Sequence, residues 1–218
     1  MLTAIKNGYR SIDTAQAYGN EEGVGQAIVK CGLPREELFI TTKIWISNAG
    51  YEKAKASIEE AYKAGKARAI GVSNFYPDRY IDIAHFAEVV PAVNQVETHV
   101  FQQQKVAREY LAKYHTQIMS WGPFAEGKND FFNTPALKEI GAKYGKSVAQ
   151  VALRFLLQNG VVVIPKSTHE ERMQENFNVF DFVLTDEEMK QIETLDTGKS
   201  LFFSHYSPET VEWFMSIV

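Results

Sequence analysis

The sequence predicts a parallel α/β fold, and three observations carry that expectation. Six short apolar segments, residues 9–13, 38–43, 69–74, 92–95, 117–121 and 161–166, each end in polar or reactive side chains. A helical pattern follows most of them. Strands buried on both faces read as apolar runs of this kind, and strand alternating with helix is the pattern of a parallel sheet. In such folds the C-terminal ends of the strands share one side, and that side carries the chemistry. Asp13, Lys43, Ser73, Asn74, Gln95, Trp121 and Lys166 then converge on one mouth.

The helices between these segments carry their own punctuation. After the first segment, the string from Gly23 to Ile28 lacks the third glycine and the preceding strand of a dinucleotide fingerprint, so it reads as a glycine-containing helix. Residues 51–66 repeat Tyr51, Ala54, Ile58, Ala61 and Tyr62 on one stripe and end at Gly65. Ser147 opens a helix with Val148, Val151, Ala152, Phe155 and Leu156 on one face, and Asn159-Gly160 supplies its C-terminal stop. Thr168 with Glu171 and Thr185 with Glu188 both fit a capping box. These patterns leave a closed barrel and an open doubly wound sheet as alternatives.

At 218 residues the chain is expected to form a single domain, spanning residues 1–218. A net charge of −4 argues against general affinity for nucleic acid or an anionic membrane. The lone Cys31 excludes an internal disulfide and suits a reducing cytoplasm, the expected location. No apolar run approaches the length needed to span a bilayer, and the N-terminus does not read as a signal peptide. No metal is expected.

Asp13, Tyr18 and Lys43 form the first chemical constellation. A phenol holds its proton to about pH 10, which makes it a poor acid at neutrality. A neighbouring ammonium lowers that value, and a carboxylate holds the ammonium in place. Asp13 and Lys43 end two successive strands, and Tyr18 follows the first of them, so the trio suits a tuned proton donor. The alternative is a buried Asp–Lys ion pair with a tyrosine packed beside it.

The string from Gly8 to Glu21 (GYRSIDTAQAYGNE) resembles the signature of the aldo-keto reductases. So do the strings at 41–45 (TTKIW), 71–75 (GVSNF), 94–97 (NQVE) and 164–167 (IPKS), followed by Arg172, Glu175 and Asn176 at the family's spacing. The resemblance is collinear over essentially the whole chain. It implies a TIM-type (β/α)8 barrel and the NADPH-dependent reduction of a small aldehyde or ketone. By resemblance, Tyr18 is the general acid, with Lys43 and Asp13 as its tuning partners. Ser73, Asn74 and Gln95 match the residues that bond the nicotinamide carboxamide. Trp121 stands where the family usually has a tyrosine stacked on the nicotinamide. Lys166, Ser167 and Arg172 match a clamp on the 2′-phosphate, with Glu175 and Asn176 also on the cofactor, and Trp45 matches a wall of the substrate pocket. Phe202, Phe203, His205 and Tyr206 are candidates to close over that pocket.

Two pieces of the family pattern are not found. Residues 1–8 resemble the end of the first barrel helix, with no first strand before it. Between Lys43 and Ala69 there is one helix where the family has helix, strand and helix, and that strand ends in the catalytic histidine. Glu59, Glu60 and Ala61 read as the junction, so 51–66 is not expected to be a continuous native helix. Length agrees: a barrel of this type takes about 250 residues, and one strand–helix unit roughly 30. The chain shows six of eight strands. Such a deletion leaves a permissible crossover, although strand number and shear are linked, so closure at six strands requires new packing. None of His85, His99, His115, His169 and His205 lies at the catalytic position, and His99, after Gln95, reads as a rim or core histidine. Three readings follow: an active reductase, a catalytically silent NADP(H)-binding relative, and a fragment that does not close its barrel.

Overall fold

A strand lies in each of the six apolar segments. In the computed structural model, which describes residues 1–44, 62, 65 and 67–216, β1 (Ser11–Asp13) pairs in parallel with β2 (Phe39–Thr41). A second, wholly parallel sheet runs in the order β3 (Gly71–Ser73), β4 (Val93–Glu97), β5 (Gln117–Trp121) and β6 (Val162–Val163). Among the described residues the α-helices are α1 (Leu2–Lys6), α2 (Glu21–Lys30), α3 (Pro77–Phe86), α4 (Lys105–Lys113), α5 (Pro135–Tyr144), α6 (Val148–Gln158), α7 (Glu170–Phe177), α8 (Asp186–Glu193) and α9 (Pro208–Ser216). Of the expected helix over 51–66 only Tyr62 and Gly65 are described; its junction at Glu59, Glu60 and Ala61, and Trp45, lie outside the described residues.

The chain packs as two compact units. The first takes Met1–Arg68, Thr168–Met173 and Phe202–Val218; the second takes Ala69–Ser167 and Gln174–Leu201. In the second unit the sheet behaves as the apolar runs predict. Val96 and Ile118 of β4 and β5 are buried against Leu111, Phe131, Leu137, Ile140, Leu153, Phe155 and Leu156 from the helices and loops around them. Each fully buried side chain of this size contributes roughly 1.5–3 kcal/mol relative to exposure. In the first unit β1 and β2 are only half-buried, and Phe39 is 44 % exposed.

Local punctuation is largely where the sequence puts it. Ser147 caps α6, accepting from the Gln150 amide, while the Gln150 side chain accepts from the Ser147 amide. Gly160 follows at φ 71°, a conformation that favours glycine. Thr185 and Glu188 make the same reciprocal pair on α8. The Thr168–Glu171 expectation is corrected by a small shift: α7 starts at Glu170, with the His169 carbonyl accepting from Met173. Gly23 and Gly25 sit inside α2, an ordinary helix.

Candidate active site

The loop after β1 builds the first group of site residues. Parallel pairing sets Asp13 beside Thr41, two residues before Lys43. The Thr14 amide extends the pairing by donating to the Thr41 carbonyl at 2.8 Å, and the Gln16 amide donates to the Lys43 carbonyl at 3.1 Å. The chain then turns through a 3-10 turn, Gln16–Tyr18, which ends at Gly19 with φ 60°. This places the Lys43 ammonium within 2.5 Å of Asp13 Oδ1, 2.9 Å of the Thr14 carbonyl and 5.6 Å of the Tyr18 ring centroid. The three residues are therefore together. Tyr18 is 60 % exposed, so its ring is open to a ligand.

The expected tuning runs the other way in this structure. The Tyr18 phenol is pushed above its ordinary value of 10.0, first by burial and then by the charge of Asp13. Lys43 is bonded to that same carboxylate, so its cation is largely offset where the phenol would feel it. Thr14 and Asn20, which sequence reasoning passed over, complete the loop: Thr14 is buried, and its hydroxyl donates to Asn20 Oδ1 at 2.6 Å. Their residue types, Thr after a strand and Asn before a helix, were the available signal.

The second group lies in the four-stranded unit. Register pairs Ser73 with Gln95 and Gln95 with Met119. Asn74 follows in the left-handed region at φ 59°, which asparagine tolerates better than most residues. Its amide N–H donates to the Gln95 carbonyl at 2.9 Å, and the Ser73 hydroxyl donates to the same carbonyl at 3.1 Å. Trp121 Nε1 donates to Asn74 Oδ1 at 2.8 Å. Gln95 is buried, and its side-chain nitrogen approaches Met119 Sδ at 3.0 Å. Ser73, Asn74, Gln95 and Trp121 thus form one cluster, with Asn94 behind it donating to the Phe75 carbonyl at 2.8 Å.

The remaining candidates divide. Lys166 and Ser167 belong to the second unit and Arg172 to the first; Lys166 and Arg172 are exposed. Glu175 accepts from the Ser147 hydroxyl, and Asn176 is buried. Phe203 and His205 pack on Phe214 of α9 at 5.3 and 5.5 Å between ring centroids, and burial lowers the His205 pKa. His99 is fully buried: its Nε2 meets Glu97 at 2.9 Å, and its Nδ1 accepts from the Phe101 amide at 3.2 Å. It is a core histidine, held between two partners. Glu97 also accepts from the Ser200 hydroxyl and, at 2.9 Å, from the Leu201 amide.

Comparison with known proteins identifies the sequence and the fold. A sequence model described as the Aldo/keto reductase family matches residues 1–63 and 45–197. Glyoxal reductase of Bacillus subtilis is 43 % identical over 225 aligned positions, covering 88 % of this chain and 81 % of that protein. A crystal structure of an aldo-keto reductase from a Medee basin deep-sea metagenome library superimposes with a TM-score of 0.89 at 35 % identity, covering 94 % of this chain and 88 % of that one. The Bombyx mori aldo-keto reductase in complex with NADP gives 0.83 at 28 % identity, covering 91 % and 82 %. The two family matches overlap over 45–63, so those residues align both before and after a break in the family pattern. The alignment lengths agree. In 225 positions spanning 88 % of 218 residues, about 192, about 33 positions of the B. subtilis protein have no counterpart here. That is the size of one strand–helix unit, roughly 30 residues. Matched by the family's sequence on both sides of that break, and by its solved members in fold, the chain belongs to the aldo/keto reductase family of oxidoreductases.

Proposed function

We propose that this chain is an NADPH-dependent reductase of small aldehydes or ketones, with Tyr18 as its general acid. The observation that carries the reading is the geometry of Lys43, bonded to Asp13 at 2.5 Å and 5.6 Å from the ring centroid of an exposed Tyr18. The chemistry of the other groups fits the cofactor. A hydroxyl, two amides and an indole cluster at Ser73, Asn74, Gln95 and Trp121, the set that orients a carboxamide and covers an aromatic ring. Lys166, Ser167 and Arg172 are assigned to the 2′-phosphate by the family's spacing, and Lys166 and Arg172 are each exposed cations without an acidic partner among the described residues. Glu175 and Asn176 are assigned to the cofactor by the family's spacing alone. NADP is bound in the B. mori relative, and glyoxal is the substrate in the name of the B. subtilis one.

NADPH, when bound, supplies the hydride that reduces the carbonyl carbon. Tyr18 gives its proton to the carbonyl oxygen, which completes the alcohol. The phenol is protonated at neutral pH, the form that reduction needs, and its raised pKa makes it a weaker donor than an ordinary tyrosine. Lys43 is the cation beside the phenolate left behind, and Asp13 holds it in place while offsetting much of its charge. Trp45 is assigned to the wall of the substrate pocket.

One observation favours a second reading, a silent NADP(H)-binding relative. About 33 positions of the B. subtilis relative have no counterpart, the resemblance implies that the family's catalytic histidine falls among such positions, and His99 is fully buried. Titrating the chain with NADPH and then following NADPH absorbance with glyoxal separates the two. Turnover that drops at least about a hundredfold in Tyr18→Phe, with binding retained, supports the reductase. Binding without turnover favours the silent relative.

A further inference from the structure

Trp121 does something that an aromatic face alone does not require. Its indole N–H can only donate, and it meets Asn74 Oδ1 at 2.8 Å. That contact settles which end of the Asn74 amide is oxygen. The nitrogen end then lies on the other side, where Nδ2 is 3.3 Å from the Ser73 hydroxyl and keeps a second N–H without a protein acceptor among the described residues. Asn74 itself is held in a left-handed conformation, φ 59°, by its own amide bonded to the Gln95 carbonyl. Backbone and side chain are thus both pinned, one by β4 and one by Trp121 at the end of β5.

We propose that Trp121 is a positioning residue that fixes the polarity of Asn74, so that the Asn74 amide presents a donor, and not an acceptor, to the carboxamide oxygen of the bound nicotinamide. This rests on the assignment of Ser73, Asn74 and Gln95 to the nicotinamide end. Without the Trp121 bond only the long 3.3 Å contact to the Ser73 hydroxyl opposes the half-turn that presents the oxygen, and two oxygens facing each other would repel. Phenylalanine at 121 keeps a ring for stacking and loses the N–H that prevents the flip.

The test is a double-mutant cycle on the full chain, read by NADPH affinity, with 2′-phospho-ADP-ribose as a probe that lacks nicotinamide. Trp121→Phe is expected to weaken NADPH about threefold to tenfold, the range for one lost hydrogen bond, and to leave the probe unchanged. In an Asn74→Ala background the same substitution should cost little more. A loss of equal size in both backgrounds means that Trp121 only stacks, and overturns the proposal while leaving the nicotinamide assignment intact. Equal weakening of the probe means general damage and also overturns it. Asn74→Ala without effect on NADPH, or no NADPH binding by the unaltered chain, removes the assignment itself and the proposal with it. Should Trp121→Phe fail to fold, Asn74→Asp keeps the acceptor for Trp121 and deletes the donor. It must weaken NADPH at least as much as Asn74→Ala, and unchanged binding overturns the proposal.

Discussion

Lys43 donates to Asp13 Oδ1 at 2.5 Å, so the one cation beside the Tyr18 ring among the described residues is already matched by a carboxylate. Burial and the Asp13 charge then prevail at the phenol, and its pKa rises. A raised value means that the protonated acid persists at neutral pH and is lost only as pH rises through the shifted pKa. The two partners should act in opposite senses. Asp13→Asn removes a charge that raises the pKa and frees the ammonium, so Tyr18 should ionise at lower pH. Lys43→Met leaves Asp13 unmatched, so Tyr18 should ionise at higher pH. Phenolate absorbance, measured as a difference against Tyr18→Phe, reads both shifts whether or not the chain turns over. Shifts in the same direction would show that Asp13 and Lys43 do not act on the phenol as a pair.

Arg172 is expected to choose the cofactor. A charge-assisted bond contributes roughly 1.5–3 kcal/mol, so Arg172→Ala should lower NADPH affinity tenfold or more. NADH has no 2′-phosphate and should bind the variant as it binds the parent. Titrating both cofactors decides the matter, and an equal loss for the two would remove Arg172 from the phosphate site.

Gly71 is where β3 comes too close to β4 for any side chain. A Cβ there would stand 2.7 Å from the Val93 carbonyl oxygen and 3.2 Å from its Cβ. Because the first contact is backbone, the strand itself must shift, which disturbs Ser73 against Gln95. Gly71→Ala should cost about 1–3 kcal/mol in a denaturant titration and weaken NADPH as well. Gly23 of α2 has nothing within 4 Å of its built Cβ. Gly23→Ala should therefore stabilise the chain by about 0.4–1 kcal/mol. Equal effects at the two sites would refute this account of Gly71.

Glu97 contributes to acid stability. Burial alone would raise its carboxyl, but the bonds from His99, Ser200 and Leu201 outweigh that and hold it below the ordinary value of 4.5. With a depressed folded pKa, its stabilisation is fully present above about pH 4.5 and is lost as pH falls through the lower folded value. Glu97→Gln should destabilise the chain at neutral pH by about 1.5–3 kcal/mol, for charged bonds made neutral. The gap between parent and variant should narrow as pH falls below 4.5. Thermal unfolding measured across that range checks the prediction; a constant gap would mean that Glu97 is not the titrating group.

Particular residues explain how much was legible. The six strands were read from apolar runs, and the capping boxes at Ser147 and Thr185 from residues three apart. The grouping of Asp13, Tyr18 and Lys43 was legible because two strand ends and one short loop carry them. The exposure of β1 and β2 was not, since a run such as 38–43 reads the same whether or not it is covered. The roles of Glu97 and Thr14 were also hidden: Glu97 accepts from residues about a hundred positions away, and Thr14 serves Lys43 through its backbone carbonyl.

The sequence by itself therefore determined the parallel α/β class, the strand positions, two helix starts and the family, because each depends on residue type and spacing within a few positions or on motifs in collinear order. Tertiary structure alone decided the direction of the Tyr18 pKa, the orientation of the Asn74 amide and the burial of His99. These depend on distances through space. A charge acts in inverse proportion to its separation and to the dielectric constant around it, and an amide oxygen turns toward whichever donor the neighbouring strand brings within about 3 Å.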